Sequence, residues 1–292
     1  MSRPNEPAPA FRAPPLACDA HFHVFGPAEH YPYGRGTAEN LRYAPPLAPL
    51  SDFLETAALL GFERFVFVQP SAYGRDNACM LDAMRELGAE CCRGIVDVDA
   101  DAPDAVLAEM DKLGVRGVRI NVSPVKPPAP GFSQTMRSRI ERLDARCAEL
   151  GWQLDFLAPG WLTEELLPMF ARLRCSFTIA HMGMFRAEAG ADQRGFQKLI
   201  DLLRHGEGRA WVKLTGTYRM ANGPDFADAA PMARALIEVA PDRLIWGSDY
   251  PHLSFADQVG SVQLFNLLAD WAPDAATRRR ILVDNPAALF GF

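Results

Sequence analysis

Short apolar runs rich in β-branched and aromatic residues recur along the chain, and between them lie stretches whose apolar positions step by three and four. The first kind predicts strands and the second amphipathic helices. Strands are expected at about 17–24, 64–69, 92–98, 117–121, 152–157, 176–181, 210–214 and 244–248. After the first of these, Ser51 can cap a helix that carries Phe53, Leu54, Ala57 and Ala58 on one face and stops at Gly61. Further helices are expected at 76–87 (Met80, Leu81 and Met84 inward, Gly88 as the stop), at 103–113, and from a capping Ser133 through Met136, Ile140, Leu143 and Cys147. Others follow at 163–173 (with Pro168 inside), 193–204 and 228–239, and two more, 257–271 and 275–283, close the chain. Eight strand–helix units with no linker between them predict a single (β/α)8 TIM barrel of parallel strands over 17–292, preceded by an extended N-terminal arm, 1–16.

Two loops break the rhythm. The stretch 26–49 is rich in Pro, Gly and Tyr, and a connection of more than ~15 residues is expected to line a site. The stretch 122–131 is too proline-rich for regular structure.

The strand pattern also gathers the chemistry. His21 and His23 are two apart in the first strand, so both leave on one face while Phe22 leaves on the other. In barrels of this kind, reactive groups sit at the C-terminal ends of the strands. His21 and His23 end the first strand, Ser71 follows the second, and Arg119 and Asn121 end the fourth. His181 ends the sixth, Lys213 and Arg219 flank the end of the seventh, and Asp249 and His252 end the eighth. Each has a plainer reading taken alone. The two histidines could sit on the wet side of a half-exposed strand, His181 could be structural, and Asp249 could cap a turn. Arg119 could ion-pair across the barrel and Arg219 could be solvated, while Ser71, Tyr43 and Tyr73 could serve only turns or packing. Polar groups scattered at random would not all fall on one rim.

Composition narrows the function. Of 292 residues 49% are hydrophobic and 23% charged, enough apolar material for a large core. The net charge of -6 argues against nucleic acid or an anionic membrane as partner, and requires locally placed arginines to meet any anionic substrate. The six cysteines show no CxxC pairs or finger-type spacing and read as small buried hydrophobes in a reducing compartment. No apolar run reaches ~18 residues and the proline-rich start lacks a signal peptide's apolar segment, so a cytoplasmic protein is expected. GxGxxG after a strand, GxxxxGK[ST] and GxSxG are all missing, which leaves no support for nucleotide binding or a nucleophilic serine.

Several motifs, taken in order, carry a family resemblance. They are Asp19-Ala-His-Phe-His-Val-Phe-Gly-Pro27, Gln69-Pro-Ser71 with Asp76-Asn77, Gly114-Val-Arg-Gly-Val-Arg119, His181-Met-Gly183, and Trp246-Gly-Ser-Asp-Tyr-Pro-His252. Together they resemble the amidohydrolase superfamily, in particular its 2-pyrone-4,6-dicarboxylate lactonases of aromatic catabolism. The resemblance implies that Asp249 activates water while His21, His23 and His181 polarise the carbonyl. It assigns Arg119 and Arg219 to the substrate's carboxylates, and Ser71, Tyr43, Tyr73 and His252 are candidates for further substrate contacts. Ester hydrolysis itself needs a base for water, a donor for the oxyanion and a proton for the leaving oxygen. An aspartate beside arginines is a weak base, so a partly desolvated setting is expected for Asp249.

The chain departs from the resembling group at three places: Lys126 and prolines stand where a second arginine follows the fourth strand, Met184 stands where an arginine follows His-Met-Gly, and Asp155 stands where a tyrosine or histidine is common. These changes bear on the dicarboxylate substrate more than on lactone opening. Two-metal members use a strand-four lysine or glutamate and a strand-five histidine, and this chain has neither. A two-metal site thus lacks its ligands, and the resemblance to the pyrone lactonases, which work without metal, implies no cofactor, the alternative being one divalent ion, zinc or manganese, held by His21, His23, His181 and Asp249. The expected partner is a small anionic lactone, with the oligomeric state open. The other readings are a single-metal decarboxylase or hydratase of the same superfamily, and a barrel that binds without turnover.

Overall fold

The eight expected strands form, and they pair in parallel in sequence order: β1 (Cys18–Phe22), β2 (Arg64–Val68), β3 (Cys92–Val96), β4 (Val115–Asn121), β5 (Gln153–Leu157), β6 (Phe177–Ile179), β7 (Ala210–Leu214) and β8 (Leu244–Trp246). The computed structural model describes residues 7–33, 45–122 and 132–292. Nearly every strand residue is buried, as parallel strands covered on both sides must be. Just beyond the paired residues, the backbone of β1 meets that of β8. Asp249 N–H donates to His21 O at 2.8 Å and His23 N–H to Tyr250 O at 2.9 Å, which brings the sheet round into a barrel.

The helices cover the outside: α1 (Leu50–Leu60), α2 (Ala78–Leu87), α3 (Asp104–Lys112), α4 (Phe132–Leu150), α5 (Gly160–Phe170), α6 (Arg194–His205), α7 (Ala230–Val239), α8 (Ser261–Trp271), α9 (Ala275–Arg279) and α10 (Asn285–Phe290). Their apolar stripes lock onto the strands through aromatic contacts. Phe22 of β1 stacks on Phe53 of α1 at 3.7 Å between ring centres, and Phe62 stacks on Trp246 at 5.3 Å. The arm is tied down from residue 8 onward. Ala10 N–H donates to Asn266 Oδ1 at 2.7 Å, and Phe11 stacks on Phe265. All six cysteines are free, and among the described residues no helix is long and apolar enough to cross a membrane.

Several boundaries differ from the sequence expectation, for physical reasons. Helix α1 starts at Leu50 behind Pro49, whose extended backbone takes the capping position, and the Ser51 hydroxyl donates to Asp52 at 3.3 Å instead of capping. Helix α5 likewise starts behind a proline, Pro159, three residues before the expected 163. The final helix does not stop at 283. A π-helical turn over Arg280–Asp284 carries it into α10, where Pro286 sits in the first turn and its missing N–H costs nothing.

Candidate active site

Asp249 follows β8 in a left-handed backbone conformation (φ 58°), and His181 follows β6 in the same conformation (φ 52°). Non-glycine residues held there are strained, and such strain gathers at functional sites. Two glycines let the groups approach. Gly216 after β7 has φ +55°, and a Cβ there would lie 2.3 Å from His181 Nδ1. Gly247 lies against β1, where a Cβ would come within 2.5 Å of the His21 backbone nitrogen.

The buried Asp249 carboxylate is the hub. Its Oδ2 accepts from Tyr218 OH at 2.6 Å and Arg219 Nε at 2.9 Å, with His181 Nε2 at 3.8 Å. Its Oδ1 lies 3.5 Å from both His21 Nε2 and His23 Nε2, and has no hydrogen-bond partner among the described residues. One oxygen is therefore held and the other is open toward the imidazoles. Burial pushes the carboxyl's pKa up, but the Arg219 guanidinium against Oδ2 opposes it and the group is held well below the usual carboxylate range. The expected desolvation is present, yet it does not make a strong base.

Burial keeps the three histidines neutral. It lowers His21 well below the usual value, lowers His23, and, with help from Arg219, Arg119 and Lys213, brings His181 to about 3. Their outer nitrogens are wired differently. His23 Nδ1 lies 2.7 Å from Val68 O, and His181 Nδ1 lies 2.7 Å from Thr215 Oγ1. A carbonyl only accepts, so His23 carries its proton on Nδ1 and turns a bare Nε2 to the site. Neutral His23 therefore turns an acceptor toward the site. His21 Nδ1 lies 3.2 Å from Lys213 Nζ, which is ion-paired with Asp155. Beneath them Asp19 accepts from the backbone N–H groups of His21 at 3.2 Å and Ser248 at 3.0 Å, while burial pushes its carboxyl up to about 7.

Above the hub lies a cleft of about 350 Å³ lined by His23, Ser71, Arg119, Asn121, His181, Arg219 and Asp249, with Leu157, Leu253 and Phe255 as its apolar surface. Arg119 is buried and donates to Gln69 O, and its Nε has no hydrogen-bond partner among the described residues. Two expected contacts lie elsewhere. Tyr73 is buried against Phe25 and Tyr33, with its hydroxyl accepting from Gly26 N–H at 3.2 Å, and His252 faces a neighbouring groove, with Nε2 at 3.0 Å from Ser261 Oγ. Tyr43 falls outside the described residues. The sequence reading missed Tyr218, Thr215 and Thr178. Tyr218 alone had a signal, its place next to Arg219 beyond β7.

His21, His23 and Asp249 each offer one ligand atom within 4.8 Å of the others, close enough to meet one metal ion. The surroundings of His21 do not suit it. A metal-holding imidazole donates its other N–H to an acceptor, as His23 does to Val68, whereas His21 has the Lys213 amine in that place. The residues present thus do not fit a metal held through His21.

The sequence profile of the amidohydrolase family matches residues 18–292. Over 285 residues the chain is 38% identical to 4-sulfomuconolactone hydrolase of Hydrogenophaga intermedia, covering 96% of this chain and 90% of the relative. It is 31% identical over 296 residues to 2-pyrone-4,6-dicarboxylate hydrolase of Comamonas testosteroni, covering 98% and 93%. A protein of Acinetobacter baumannii assigned as a 2-pyrone-4,6-dicarboxylic acid hydrolase, solved with citric acid bound, superposes with a TM-score of 0.80 at 27% identity, over 95% of this chain and 100% of that one.

Proposed function

Because the chain belongs to the amidohydrolase family, we propose that its site hydrolyses a small lactone bearing at least one carboxylate or sulfonate. The observation that carries this reading is Asp249 Oδ1, a buried carboxylate oxygen left open beside a bare imidazole nitrogen at the floor of a cleft that holds two arginines. A water between Asp249 Oδ1 and His23 Nε2 can donate to both, which offsets the weakness of Asp249 as a base. Attack on the ring carbonyl forms the new C–O bond, and an imidazole N–H meets the oxygen that gains charge. The ring C–O bond then breaks, and the proton taken from water is delivered to the leaving ring oxygen, which gives an open-chain acid. The arginines hold the anionic group, since guanidinium offers two parallel donors to a carboxylate or sulfonate.

The relatives' names select the first substrates to try, 2-pyrone-4,6-dicarboxylate and 4-sulfomuconolactone, alongside neutral lactone esters, with hydrolysis followed by proton release. Turnover is expected on an anionic lactone, and Asp249→Asn should lower it by about 10²–10⁴ with the fold intact. A variant with near-native turnover removes Asp249 from the reaction.

The reading also makes the reaction metal-independent, with exhaustive chelation leaving the rate unchanged. The other reading, a single-metal decarboxylase or hydratase, would group His21, His23 and Asp249 around an ion despite the Lys213 amine on His21. Stoichiometric zinc or manganese, with activity lost to chelators and restored by the ion, selects that reading instead.

A further inference from the structure

Lys213 of β7 is wholly buried behind His21, and no step of the reaction above uses it. Its Nζ has three neighbours: the Asp155 carboxylate of β5 in an ion pair, His21 Nδ1 at 3.2 Å and Ala20 O at 3.4 Å. Asp155 is itself fixed by Thr178 of β6, whose hydroxyl donates to the same Oδ2 at 2.7 Å. An ammonium has three protons to give and no lone pair. The carboxylate and the carbonyl can only accept, and a buried carboxylate in contact keeps the amine charged, since either charge alone would be far costlier in that setting. The third proton therefore goes to His21 Nδ1, and the neutral ring keeps its own on Nε2, which points at Asp249 Oδ1.

We propose that Lys213, held by Asp155, is a positioning residue that fixes His21 as an N–H donor toward Asp249 Oδ1, so that the two histidines of the HxH pair perform opposite tasks. His23, with its proton committed to Val68 O, is the acceptor beside Asp249. His21 is the donor for the oxygen that gains charge, and its Nε2 has no lone pair to give a cation. The same arrangement explains why the fifth strand carries Asp155 here: it is the counter-ion that keeps a lysine charged in the interior. The division of tasks rests on the lactone-hydrolysis reading, while the proton positions do not.

The test reads those proton positions directly, by nitrogen NMR of the whole protein labelled at histidine nitrogens, at neutral pH and without substrate. Signals are assigned by the loss of one ring in His21→Gln and in His23→Gln. His21 is expected with its proton on Nε2 and His23 with its proton on Nδ1. In Lys213→Met the donor to Nδ1 is gone, and the His21 proton should move in whole or part from Nε2 to Nδ1. Should that variant fail to fold, Asp155→Asn keeps the lysine but removes its counter-ion, and the neutral amine then accepts from His21, which gives the same shift. On an anionic lactone, either folded variant should lower kcat by about tenfold to a hundredfold with KM changed less than about threefold. A wild-type His21 protonated on Nδ1, or a tautomer unmoved in both variants, overturns the role of Lys213 even if the enzyme opens lactones. The expected tautomers in a protein inert toward every lactone overturn the proposed reaction and leave the role of Lys213 standing.

Discussion

Arg119 and Arg219 face one cleft but keep different company. Arg219 Nε donates to Asp249 Oδ2 at 2.9 Å, whereas Arg119 donates to the Gln69 carbonyl and makes no ion pair among the described residues. Replacing each with methionine keeps most of the stem and deletes the charge. Arg119→Met is expected to cost about tenfold to a hundredfold in kcat/KM on an anionic lactone, and far less on its neutral ester. Arg219→Met should impair both substrates alike, because it also frees Asp249 from the partner that holds one of its oxygens. Equal losses on both substrates in Arg119→Met would show that this arginine serves the barrel and does not read the substrate. The sequence brought these residues to one rim because strand ends can be counted. It could not show that Arg219 is shared between Asp249 and Tyr218, since that depends on how the turn after β7 folds back. Asp155 is the instructive case: as a departure from a family pattern it looked like a change of substrate, and its meaning emerges only from Lys213, 58 positions on along the chain.

At the scale of elements, the meeting of β1 and β8 depends on Gly247 having no side chain. A Cβ there would lie 2.5 Å from His21 N and 2.7 Å from its Cβ, well inside contact distance. Gly247→Ala should therefore destabilise the protein by about 1–3 kcal/mol and displace His21 as well, so that turnover falls while a melting curve still shows a folded chain. A variant with native turnover would mean that β1 yields at no cost. Just past β3, Asp97 joins two outer elements, with its carboxylate 2.7 Å from Arg139 of α4 and 3.7 Å from Arg75 before α2. Burial raises its pKa above the usual 3.8 despite both arginines. Across the pH range from 3.8 up to that raised value, the folded chain keeps a proton that the unfolded chain has lost, so this group's contribution to stability falls as pH rises. Asp97→Asn cannot titrate. The stability of wild type relative to Asp97→Asn, read from urea midpoints, should fall through that range, and a constant or rising difference contradicts the shift.

Strands were the most legible elements, because buried parallel strands are continuous apolar runs of β-branched and aromatic residues. Helix starts were less so. At Leu50 a proline supplies the entry geometry that a hydroxyl cap was expected to supply, at Gly160 a proline starts the helix three residues early, and at Pro286 a residue that reads as a breaker sits where a helix can begin.

For the molecule as a whole, the bond from Ser248 N–H to Asp19 Oδ1 joins groups 229 positions apart, and the groups around it are those of the candidate site. Ring closure is therefore also site assembly. The strands between β1 and β8 each pair with their sequence neighbours and can order early, whereas closing β1 onto β8 spans 229 positions and has the largest closure entropy. During refolding, catalytic power should then be among the last properties to return. After dilution from denaturant, far-ultraviolet ellipticity is expected to recover first and hydrolysis later, and a protein synthesised up to the end of β7 should show no turnover however much helix it holds. Simultaneous recovery of both signals would mean that the two ends of the chain meet as early as its neighbouring units do.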